Sequence, residues 1–132
     1  MENPSFENEA VLFELRDGIL YGHYKVAEID LATAQEATII RQKVVGDQIV
    51  PSIADISVVK RVPKETREFF SSPQAGADLS ALAVVVSNPV TRTMGNFFLK
   101  FHQPKYPFRL FTNIDEATSW ISQFVQNQEL CN

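Results

Sequence analysis

With 132 residues, 45% hydrophobic and 21% charged, the chain has the size and composition of one globular domain. Such a domain buries roughly two-thirds of its unfolded surface, enough for a core without disulfides or structural metals. The net charge of −4 argues against nucleic acid, whose phosphates need a clustered positive field, and against an anionic membrane surface.

The single cysteine, Cys131, cannot close an intrachain disulfide or supply a thiolate zinc site, and it fits a reducing, cytoplasmic setting. The opening MENPSFENEA has neither the basic nor the apolar region of a signal peptide. The longest apolar run, Ala81 to Val86, is too short to span a bilayer, so no membrane insertion is expected. Residues 1–9, rich in Asn, Glu and Pro, read as a loose tail, and residues 10–132 as a single domain. The ten phenylalanines point to a well-filled core or an apolar binding face.

Ala10 to Arg16 and Ile19 to Lys25 flank Asp17-Gly18, a preferred pair for a two-residue hairpin turn. That turn sets Leu15 against Leu20, Phe13 against Gly22 and Val11 against Tyr24 on one apolar face. The other face carries Leu12, Glu14, Arg16, Ile19, Tyr21 and His23, and is expected to meet water or a partner. Asp30 caps a helix over Leu31 to Val45, with a stripe of Ala34, Ala37, Ile40 and Val44, and Gly46 ends it. Ile49 to Ile56 follows as a strand, with Pro51 near its start. Pro63 opens a short helix with Phe69 and Phe70 inward, stopped at Ser72-Pro73. Ala81 to Val86 is the unbroken apolar run of a strand covered on both faces. Asn88-Pro89 starts another helix with an aromatic stripe at Phe97, Phe98 and Phe101. Phe108 to Phe111 is the last strand, and Asn113 caps a final helix with Ala117, Trp120, Ile121, Phe124 and Val125 inward. The order β-β-α-β-α-β-α-β-α predicts an α/β fold, a mostly parallel mixed sheet with an N-terminal β-hairpin at its edge.

No phosphate-cradling glycine loop occurs, since Gly18, Gly22, Gly46, Gly76 and Gly95 are scattered, and no nucleophile-elbow motif is present. His23 and His102 lack metal-ligand spacing, so neither a metal nor a cofactor is expected. Glu14 and His23 share a hairpin face, where a solvated polar contact is the simpler reading than an acid–base pair. Lys60, Arg61, Lys64 and Arg67 form the only basic cluster, after the carboxyl end of a strand, where ligands bind in open α/β sheets. Ser87, Asn88, Thr91 and Arg92 follow the next strand, so the two segments can form one polar rim.

FELRDGILYGHYK, the strand end Asp55-Ile56-Ser57, SNPVTRTMGNFFLKF and FRLFTNIDEATSWI resemble the SpoIIAA-like, STAS-related family, and within it a group of small bacterial proteins of unknown function. The resemblance runs from Leu12 to Phe124 and implies the SpoIIAA-like fold. STAS domains that antagonise anti-sigma factors carry a phosphorylatable Ser in an Asp-Ser-Ser-Gly pattern. Here Pro63-Lys64-Glu65-Thr66 stands at that place, so the resemblance does not extend to the phosphorylation switch. The superfamily also resembles Sec14-type lipid-binding domains, which implies an apolar pocket lined by Phe97, Phe98 and Phe101.

The resulting expectation is a non-enzymatic regulatory or protein-interaction module of STAS type. The alternative is a binder of a small apolar or amphipathic ligand. A protein partner or ligand is expected at Ser57, Lys60, Arg61, Lys64, Asn88 and Arg92, and homodimerisation through Leu12, Ile19 and Tyr21.

Overall fold

The turn at Asp17-Gly18 starts the architecture. In the computed structural model, which describes residues 3–87 and 105–125, both residues have positive φ, 56° and 81°, as a primed two-residue turn requires. Six strands form one sheet in sequence order: β1 (Ser5–Glu7), β2 (Val11–Arg16), β3 (Ile19–Tyr24), β4 (Val50–Asp55), β5 (Leu79–Val85) and β6 (Phe108–Phe111). The first three strands form an antiparallel meander, and β3 through β6 pair in parallel. Hairpin register is as the turn dictates, with Leu15 opposite Leu20, Phe13 opposite Gly22 and Val11 opposite Tyr24.

Helix α1 (Leu31–Val45) connects β3 to β4, and α2 (Lys64–Phe70) connects β4 to β5. Successive crossovers of one hand, stepping the same way across a sheet, place their helices on the same face. Both helices accordingly pack with Val11, Phe13, Leu20, Tyr24, Val84 and Val86 in one core layer. Helix α3 (Ile114–Ile121) follows β6 and lies against β4 and β5 within a second layer of Ile19, Ile53, Ala83, Val85, Phe111 and Ile121. Asp30 caps α1 by accepting the Thr33 N–H at 2.8 Å, and Asn113 caps α3 by accepting the Asp115 and Glu116 N–H groups at 2.8 and 3.0 Å. The missing N–H of Pro51 coincides with a register shift at Val50/Pro51, which lets a proline sit in an interior strand.

Two expectations are corrected. The nine-residue loose tail contains β1, whose residues pair with Leu12, Phe13 and Glu14. Asn8 accepts the Ala10 and Val11 N–H groups and shapes the turn between the strands. All three β1 side chains are exposed, so no alternating hydrophobicity announces the strand. Ile19 is not on an open face: it is 4% exposed within the α3 layer. The end of the chain's final described turn, Ser122–Phe124, closes over the hairpin, where any Cβ at Gly18 would lie 2.9 Å from Val125 Cγ1. The helix expected from Asn88 lies outside the described residues.

A methyl group at Gly22 would meet Phe13 Cε1 at 2.8 Å, because the ring packs against its cross-strand neighbour. Gly22→Ala is therefore expected to destabilise the fold by about 1–3 kcal/mol, measured as a lowered urea midpoint with unchanged slope. An unchanged midpoint would mean that the ring gives way freely.

Candidate functional site

On the α3 face the outer half of the hairpin remains concave. Leu12 and Tyr21, with Ile53 and Ile114, line a groove of about 210 Å³. Glu14, Arg16, His23 and Asp55 add charge of both signs. Ile114, the first residue of α3, is 42% exposed there. The Arg16 guanidinium stacks 4.2 Å from the Tyr21 ring centroid and also pairs with Glu14 at 3.1 Å.

Glu14 thus binds Arg16, whereas His23 Nδ1 lies 3.3 Å from Asp55 Oδ2. Asp55 ends β4 and its other oxygen accepts the Ser57 N–H at 3.0 Å, which orients the carboxylate toward the imidazole. An imidazole held by a carboxylate can move protons, and among the described residues that line the groove none is Ser, Thr, Cys or Lys. Asp55 is a site residue that its neighbours in sequence did not reveal; it meets His23 because β3 and β4 pair in parallel with those two residues in register.

The polar rim is assembled differently. Ser57, Lys60, Arg61 and Lys64 are exposed and follow the carboxyl end of β4, as expected, but none lines the groove. Their segment is tied to the approach to α1, with Lys60 N–H donating to Ala27 O at 2.7 Å and Ile29 N–H donating to Arg61 O. Arg61 Nε sits 3.6 Å from Glu28 and Lys64 Nζ 3.9 Å from Glu68, so much of the local positive charge is neutralised. These exposed pairs contribute little to stability. Asn88 and Arg92 lie outside the described residues. Among the described residues no three His, Cys, Asp or Glu side chains converge as metal ligands, and no helix is long and apolar enough to cross a membrane.

A second polar cluster lies inside. Arg41 and Asp78 are 7% and 6% exposed and form a two-pronged ion pair, Nε to Oδ2 and Nη2 to Oδ1, both at 2.9 Å. Nη2 also donates to the Ala75 carbonyl. Tyr24 approaches from β3 and is 4% exposed; burial pushes its phenol up to about 12, although Arg41 favours the phenolate. Burial also raises the Tyr106 phenol, against a smaller opposing effect of Arg41. A signal for this cluster exists in the sequence: Arg41 falls four residues after Ala37 and four before Val45, on the buried stripe of α1. A charged residue on that stripe requires a buried partner, and folding supplies Asp78.

Two outcomes follow. Because the folded Tyr24 phenol titrates above its ordinary value of 10, stability from this group is complete below pH 10 and falls as pH rises toward 12, by about 3 kcal/mol. Alkaline denaturation of Tyr24→Phe should lack this slope, and an identical slope in both proteins would contradict it. Asp78→Ala strands the Arg41 charge and should cost about 3–5 kcal/mol, whereas the apolar double substitution Arg41→Met with Asp78→Leu should recover most of that loss in urea unfolding.

No curated protein matches the sequence. Among solved structures, an uncharacterized protein of the DUF3478 family from Shewanella loihica PV-4, with a SpoIIAA-like fold, aligns with a TM-score of 0.56. The alignment covers 89% of this chain and 90% of that chain at 12% identity. At that identity the likeness concerns the fold, which is SpoIIAA-like here as well. Residues 13–125 match DUF7793, a domain of unknown function, and the chain belongs to that family.

Proposed function

We propose that the chain is a non-enzymatic regulatory or protein-interaction module of STAS type, and that its partner is a protein seated in the hairpin groove. The observation that carries this reading is the groove's layout, with apolar Leu12, Tyr21 and Ile114 beside the charged residues Glu14, Arg16 and Asp55. Apolar contact area edged by charge is the usual anatomy of a protein interface. The volume of about 210 Å³ is below the roughly 300–1,000 Å³ of small-molecule clefts and suits one or two inserted side chains. Leu12 and Tyr21 make a second copy one candidate partner, with Ile19 no longer part of the contact.

Partner capture and light scattering on four proteins test the proposal: wild type, Tyr21→Glu, Ile114→Glu and Lys64→Glu. Ile114→Glu places an acid at a helix N-terminus, so folding should be retained. Complex formation is expected to survive Lys64→Glu and to fall at least tenfold, about 1.4 kcal/mol, in each groove variant. Loss in Lys64→Glu alone would move the interface to the rim after Ser57 and overturn the groove assignment.

A further inference from the structure

The face of the sheet beneath α1 and α2 has a gap in its floor. Gly22 on β3 lies in register with Ala54 on β4, and Ser52 precedes Ala54 on the same face. Interior strands usually present branched side chains at such positions. Three small residues here leave a cavity of about 70 Å³ between the sheet and the helices. Leu82, Val84, Phe70 and Phe108 contribute apolar walls, and Arg41, Tyr24 and Tyr106 also reach it.

Tyr24 supplies an independent observation. It is 4% exposed and lines the cavity. Its hydroxyl is not among the sealed-off side-chain atoms that lack a partner, so it keeps accessible surface and can donate to an occupant of the cavity. Its phenol stays protonated at neutral pH and can donate. Arg41 is already matched by Asp78, which removes the net positive charge that an anionic occupant would need.

We propose that this cavity is a binding site for a small neutral molecule with one oxygen acceptor and an apolar body. The oxygen receives the Tyr24 hydroxyl hydrogen bond near Arg41, and the carbon skeleton lies over Gly22 and Ala54. The volume is about half that of a cavity that admits benzene, at roughly 150 Å³, so the ligand has about three to five non-hydrogen atoms. Buried water is the rival occupant. One water fits beside the polar groups, whereas the described lining around Leu82 and Val84 is largely apolar. Tyr106 stands at the side of the cavity, its ring directly against Gly76, where a Cβ would meet Cε2 at 2.9 Å.

The test is a methyl-detected NMR titration of the full chain with 2-butanone, following Leu79, Leu82 and Val84. Saturable shifts confined to the cavity methyls are expected. Tyr24→Phe, which removes only the hydroxyl, should weaken binding about tenfold. Ala54→Val, which fills the floor, should abolish saturation; if that variant fails to fold, Ser52→Val, which fills the same floor from the neighbouring position, should abolish it instead. Absent or non-saturable shifts, or equal binding by wild type and Tyr24→Phe, would overturn the proposal. So would a long-lived water at Tyr24 that 2-butanone does not displace. Failure here would leave the groove reading untouched, because among the described residues only Gly22 and Ile53 line both sites.

Discussion

The two inner strands of the parallel part, β4 and β5, must be covered on both faces, and most of the molecule follows from how that is done. On the α3 face Ala81 and Ala83 keep the sheet low, so that Ala117 and Ile121 approach closely and are fully buried. Phe111, Trp120 and Phe124 fill the remaining space, with Trp120 ring-to-ring with both phenylalanines at 5.8 and 4.8 Å. On the opposite face Gly22, Ser52 and Ala54 are also small, but the helix above them brings Arg41 rather than an aromatic ring. A guanidinium already held by Asp78 cannot fill an apolar gap, and a cavity remains.

The same unequal coverage locates the groove. Helix α3 has eight residues and spans about 12 Å, against about 24 Å across six strands. It lies against β4 and β5, and its first residue, Ile114, reaches the edge of the hairpin face. Leu12, Glu14 and Tyr21 therefore line a concavity bounded by the helix start. Parallel pairing of β3 with β4 then delivers Asp55 to His23 at the carboxyl end of the sheet, the end where open α/β folds place their ligands. The basic rim starts from the same strand end, but its backbone is committed to the approach to α1 and its charges to Glu28 and Glu68.

The buried ion pair shows how a charge can be tolerated in a core of this size. Arg41 and Asp78 are 37 positions apart, yet two parallel hydrogen bonds and the Ala75 carbonyl satisfy most of the guanidinium. Such pairs seldom add net stability, and their value lies in specifying one arrangement. Here the arrangement ties α1 to the turn before β5, and Gln42 adds a further bond to Gln74 O at 2.9 Å.

Local chemistry settled the hairpin register through Asp17-Gly18, the helix starts at Asp30 and Asn113, the existence of the buried strand β5 (Leu79–Val85) and hence the fold class, because turns, caps and apolar runs act over a few residues. Strand β1 was invisible because its exposed side chains carry no periodic signal; it is held by backbone pairing with β2 and by the Glu7 carboxylate on Lys25. The burial of Ile19, the meeting of His23 with Asp55 and the closure of Arg41 on Asp78 each join segments that are distant in sequence. Periodicity can assign a residue to a face, but only the assembled fold decides what covers that face. For this reason the hairpin face with Tyr21 was legible as a surface, whereas its groove, its loss of Ile19 and the cavity behind Tyr24 came from the tertiary packing.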